Sequence, residues 1–218
     1  MLKSGFKMRM ALIWWVLILV LPIILSGASL WLNVSINHFH FDRSLLEQPI
    51  MILPTLIMMF FIGGSFQEEF GWRWFALPGL LEKWNPLVAS LILGVVWGIW
   101  HLPLFFIAGT GQYFMPLGIF LVMVEAFTIL ITWVYLRTGR NLSSALLFHT
   151  AINTWLSVFP PIVKITGGNQ IGVTYLMLAY LVVALVVLVA ERRLFFRAVE
   201  NKPLTPNQTM ARIARKDL

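Results

Sequence analysis

Six side chains that can move protons or hold a charged intermediate stand in otherwise apolar stretches of this sequence. They are Glu68, Glu69, His101, Glu125, His149 and Asn153, with Arg73 one turn after the glutamates. A carboxylate and an imidazole beside one water form a general-base arrangement. His149 and Asn153 are four residues apart, share one helix face, and can donate hydrogen bonds to a developing oxyanion. The chain has no cysteine, so it offers no thiolate nucleophile and no cysteine zinc site. It contains neither H-E-x-x-H nor G-x-S-x-G, and no serine has an evident base partner. The chemistry these residues suggest is direct attack of water on an amide carbonyl, which is peptide hydrolysis inside a membrane.

The elements that must position them follow from composition. Of 218 residues, 59% are hydrophobic and 11% are charged, against about 25% charged in a soluble domain. That excludes a soluble globular fold and a disordered chain. Apolar runs near 10–32, 50–82, 87–107, 116–136, 142–160 and 173–190 are each long enough to span a bilayer. They predict an all-α, polytopic membrane helix bundle of about six crossings, with 50–82 interrupted. The first run continues through Leu30, Trp31 and Leu32 and is too long for a secretory signal. With the N-terminus placed in the cytoplasm, fourteen of the sixteen basic residues fall on the cytoplasmic side, and only Arg43 and Lys164 fall outside. The positive-inside bias therefore predicts cytoplasmic N- and C-termini. The net charge of +7 becomes a topology signal, and nucleic acid is not an expected partner. Residues 1–218 read as a single integral membrane domain ending in a short polar tail, 201–218.

The spacing gathers the polar residues into one layer. Gly63-Gly64 should break the helix of the interrupted segment. Ser65 and Glu68 have the spacing of a capping box, which predicts a new helix from Phe66. Glu69 and Arg73 then form an i,i+4 ion pair, leaving Glu68 rotated about 100° away and free. The midpoint of Glu68 and His101 falls in the turn Lys83-Trp84-Asn85-Pro86. In an antiparallel hairpin both lie roughly 22 Å above that turn. Asn153 and His149 lie roughly 18 and 12 Å above the next turn, with Glu125 about level with Asn153. One buried His or Asn is commonly glue between helices. So many polar residues in one layer point to a site. Glu125 reads as a supporting acid or a protonated structural one, and Trp97 as packing or a cavity wall. His38, His40 and Asp42 read as solvated loop residues.

Three motifs carry a resemblance. Glu68-Glu69-Phe70-Gly71-Trp72-Arg73 matches E-E-x-x-x-R, Trp97 to His101 matches [F/W]-x-x-x-H, and His149 to Asn153 matches H-x-x-x-N. In this order on membrane helices they resemble the CPBP family, which comprises type II CAAX prenyl proteases and bacteriocin-processing or immunity (Abi) proteins. The resemblance covers about residues 50–160, supported by Ala76-Leu77-Pro78 and His101-Leu102-Pro103. Trp74 departs from it, standing where many members carry glycine; it is expected to narrow the cavity or alter substrate choice.

The resemblance implies that Glu68 and His101 activate water, that His149 and Asn153 form the oxyanion hole, and that Glu69 and Arg73 hold the geometry. It implies an intramembrane peptidase of a bacterial cytoplasmic membrane, acting without a cofactor on a membrane-associated peptide or lipidated protein. A zinc-dependent version would use Glu68, His101 and His149 as ligands. Two other functions compete: a non-catalytic bacteriocin-immunity or adaptor protein, and a proton-coupled transporter using Glu125, Glu68 and the histidines. The lack of inverted repeats weighs against the transporter.

Overall fold

The computed structural model describes residues 10–162 and 170–197. The expected tail at 201–218 lies outside these residues, as do Lys3, Lys7, Arg9 and Lys164. The main helices are α1 (Leu12–Asn37), α2 (Ile52–Phe61), α3 (Ser65–Leu81), α4 (Pro86–Trp100), α5 (Leu117–Arg137), α6 (Leu142–Val158) and α7 (Ile171–Ala190). Among the described residues there is no strand. The architecture is the expected all-α polytopic bundle.

Helices α1, α5 and α7, and α4 with its short continuation to Phe106, are long and apolar enough to cross a bilayer. A fifth crossing comes from Pro49–Phe61 joined to Ser65–Leu81 with a 40° bend. The sixth expected crossing, 142–160, corresponds to α6, whose 17 residues leave it outside the four helices and one bent pair long and apolar enough to cross, so the described residues give up to five spans rather than six. Large apolar side chains exposed on α1, α4 and α7, such as Leu12, Val95 and Val189, are what a helix turned toward lipid presents.

Local chemistry sets the helix starts. Asn85 caps α4, its side chain accepting from Val88 N at 2.9 Å, with Pro86 at the first helical position. Asn141 does the same for α6, accepting from Ser143 N at 3.1 Å. Pro103 follows the end of α4, and the chain continues as the 3-10 turn Leu102–Phe106. Helix α5 is the central column. It packs most extensively against α4 and α7 and buries Phe120, Leu130, Ile131 and Val134.

The break before α3 forms, but its cap differs from the capping box. Gly64 is the N-cap at φ +95°, a left-handed conformation that favours glycine. The Ser65 hydroxyl makes no hydrogen bond with a described residue, because the helix starts at Gly64 and Ser65 is its first residue rather than its cap, while the Glu68 carboxylate that would complete the box is held by another helix. Past Glu69 the helix widens into a π-helix over Phe70–Ala76, a form found mostly at functional sites. Arg73, assigned by charge counting to a cytoplasmic segment, is fully buried here. Its charge belongs to the site rather than to the topology signal.

Candidate active site

The Gly63-Gly64 break delivers Glu68 and Glu69 to two different places. Glu69 turns into the bundle and is fully buried. Its Oε1 accepts from Arg73 Nη1 at 2.8 Å and from His149 Nδ1 at 2.9 Å. Because a carboxylate only accepts, this fixes the proton on His149 Nδ1 and leaves Nε2 for the cavity. Glu68 points the other way, and its Oε2 accepts from the Trp97 indole Nε1 at 2.6 Å. His101 Nδ1 meets the Trp97 carbonyl at 2.9 Å. That carbonyl accepts, so the His101 proton sits on Nδ1 and Nε2 keeps its lone pair. Asn153 Nδ2 donates to the Gly63 carbonyl at 3.2 Å and so ties α6 to the break that aims Glu68.

Glu68, His101, His149 and Asn153 line one cavity of about 420 Å³, within the range of sites that enclose small ligands. Its remaining wall is mainly apolar, with Met59, Met115, Phe120 and Leu156 among the lining side chains. Among the described residues no three His, Asp or Glu side chains are grouped so that they could hold a metal ion.

Trp97 is the residue that sequence reasoning undervalued. Besides its bond to Glu68, its ring lies edge-to-face with His101 at 5.9 Å and with His149 at 5.2 Å. The Arg73 guanidinium sits over it at 5.2 Å. A signal was available, since the midpoint of residues 68 and 97 falls at the edge of the hairpin turn that pairs Glu68 with His101.

One open reading narrows, and one expectation needs correction. Glu125 does not line the cavity, and its carboxyl oxygens hydrogen-bond to no described residue. It lies against Gly94 of α4, where a Cβ would run into the carboxylate. Of the two readings, supporting acid or structural acid, this position between α4 and α5 favours the structural one. Trp74 is also absent from the cavity wall, so it does not narrow the cavity. The π-helical turn carries it elsewhere.

The fold and the site together define a class: a polytopic helical membrane protein that encloses a carboxylate, two imidazoles and an amide in one cavity. Residues 49–155, just under half of the chain, match the family described as type II CAAX prenyl endopeptidase Rce1-like. The chain is similar to CAAX prenyl protease 2 from Methanococcus maripaludis, with 28% identity over 172 residues, 74% of this chain and 58% of the relative. The chain thus spans less than two thirds of that relative's length.

Proposed function

We propose that this chain is an intramembrane endopeptidase that hydrolyses a membrane-associated peptide with water activated by Glu68 and His101. The observation that carries the reading is the single cavity shared by Glu68, His101, His149 and Asn153. Trp97 occupies Glu68 Oε2, which leaves Oε1 to take a proton from water. His101 Nε2 positions that water with its lone pair. The water oxygen bonds to the amide carbon, and the carbonyl oxygen becomes an oxyanion. Asn153 offers it the second N–H of its amide. His149, held at Nδ1 by Glu69, turns Nε2 toward the same oxyanion as the other side of the hole. Collapse of the intermediate breaks the C–N bond, and the leaving nitrogen takes the proton from Glu68.

This route uses no metal and no cofactor. The relative's name suggests a first probe, a prenylated peptide ending in C-a-a-X, alongside an unmodified apolar peptide. Purified protein in mixed micelles should cleave a probe, and Glu68→Gln should slow cleavage by about 10²–10⁴-fold, the contribution typical of a general base. Equal rates would overturn the reading in favour of an immunity or adaptor role. Stoichiometric zinc with chelator-sensitive cleavage would replace the metal-free route.

A further inference from the structure

Three chain segments meet at one end of the bundle, and the register between α4 and α5 shows which residues they bring together. Gly94 lies against Glu125, and Gly98 against Leu121. Two more turns of this antiparallel register bring Pro86 level with Trp133 and the Lys83 turn level with Arg137. Trp133 and Arg137 both bond Glu191, which follows α7. The next turn, Arg192–Phe195, packs back on α4 and buries Phe195 completely. The α3–α4 turn, the α5–α6 turn and the segment after α7 therefore share this end. Trp14, edge-on to Trp133 at 5.2 Å, brings the start of α1 there as well.

Positive charge collects at this basic end. Lys83, Arg137, Arg140, Arg192, Arg193 and Arg197 stand on the three segments, against two acids, Glu82 and Glu191. Glu191 is committed to Arg137. The other five basic residues are exposed and form no ion pair with a described residue. The termini outside the described residues do not cancel the excess. Residues 1–9 carry three basic residues and no acid, and residues 198–218 carry four basic residues and two acids. Helix dipoles do not cancel it either. The ends of α3, α5 and α7 supply about half a negative charge each, but the starts of α1, α4 and α6 lie at the same end and supply about as much positive charge. Trp84 and Phe196, 47% and 57% exposed, adjoin Lys83 and Arg197 in the chain. Exposed aromatic rings beside cations are what a protein presents at the headgroup level of a bilayer.

We propose that this basic end binds the headgroup of an anionic phospholipid, with Lys83, Arg192 and Arg193 taking the phosphate and Trp84 packing beside it. A guanidinium offers paired donors that match phosphate oxygens. The positive-inside bias turns this end to the cytoplasmic leaflet, which holds anionic lipid. The bound headgroup ties the segment after α7 to the α3–α4 turn, and so fastens the start of α4. None of these residues lines the cavity, so the site is separate from the hydrolase reading.

Purified full-length protein in an uncharged detergent tests this. Phosphatidylglycerol should raise the thermal midpoint and stay bound in native mass spectrometry, while phosphatidylcholine at the same concentration should do neither. Lys83→Gln, Arg192→Gln and Arg193→Gln should each weaken phosphatidylglycerol binding about fivefold, and together about 100-fold. Arg43→Gln, beyond the far end of α1, should leave binding unchanged. Arg192→Lys with Arg193→Lys keeps the charge and should keep most of the binding, which separates lost charge from a damaged fold. Should the triple variant fail to fold, Arg193→Gln alone is expected to show its fivefold step. Equal binding of the two lipids, or wild-type binding by the glutamine variants, overturns the proposal. So does an equal loss in Arg43→Gln. Inorganic phosphate that reproduces the shift at the same concentration overturns the lipid as occupant.

Discussion

Trp97 concentrates at one side chain what the site needs from its surroundings. Its N–H fixes Glu68, and its ring touches both histidines and carries the Arg73 charge. Phenylalanine would keep the ring contacts and lose only the N–H. A hydrogen bond to a charged group is worth about 1.5–3 kcal/mol, so Trp97→Phe should lower kcat roughly 10- to 100-fold. KM and the thermal midpoint should stay near wild type, because the substrate wall and the packing are kept. Steady-state kinetics of the probe reaction check this, and an unchanged kcat removes Trp97 from the positioning machinery. The glutamates, histidines and asparagine were legible in the sequence because each is expensive in a membrane and has few structural excuses. Trp97 was not, because ten tryptophans in an apolar chain have an ordinary explanation in packing and interfaces. The His149–Glu69 bond was hidden for another reason. Spacing along one helix shows what shares a face, but it does not show which neighbour that face meets across 80 residues.

The elements explain why Glu125 stands apart from the cavity although it is level with it. Counting residues from a turn gives height along a helix, and that argument put Glu125 level with Asn153. Rotation about the axis is set by packing, which turns Glu125 toward α4. Helix α4 presents Gly94 and Gly98 to α5, where added Cβ atoms would strike the Glu125 carboxylate and the Leu121 side chain. Glycines in this arrangement let membrane helices approach closely. Gly94→Ala should therefore overpack the α4–α5 contact and cost about 1–3 kcal/mol. Glu125→Ala removes the obstructing atoms, so the double variant should lose less than the sum of the single losses. Thermal unfolding in detergent of the four proteins measures the coupling, and strict additivity would refute the contact. The capping box failed for a related reason. A local rule made Ser65 the cap and Glu68 its partner; the left-handed Gly64 starts the helix one residue earlier, and Trp97 of a neighbouring helix takes the Glu68 carboxylate. The Gly63-Gly64 break, which depends on backbone chemistry alone, was legible in the sequence.

At the scale of the molecule, the membrane bundle was legible because hydrocarbon thickness and the cost of charge act on composition directly. The helix-to-helix clamps were not, since they join residues distant in the chain. One such clamp closes the basic end. Glu191 accepts from Arg137 Nε at 2.8 Å and from Trp133 Nε1 at 3.2 Å, and also pairs with Arg137 Nη2, tying the end of α5 to the end of α7. The Arg137 hydrogen bonds hold the Glu191 carboxyl below its ordinary value of 4.5. A carboxyl that is more acidic in the folded state contributes stability above its unfolded pKa and loses that contribution as pH falls through its folded one. The clamp should therefore be intact at neutral pH and fail in acid, below the ordinary carboxylate range. Arg137 is 46% exposed, so the pair is worth about 0.2–1 kcal/mol. Glu191→Gln should be slightly less stable than wild type at pH 7 and should converge with it as pH falls from 5 to 3. Thermal midpoints of both proteins across that range, at low and high salt, are the measurement. A gap that stays constant with pH would mean that Glu191 joins the two helices by packing and neutral hydrogen bonds, and that its charge contributes nothing to closing this end of the bundle.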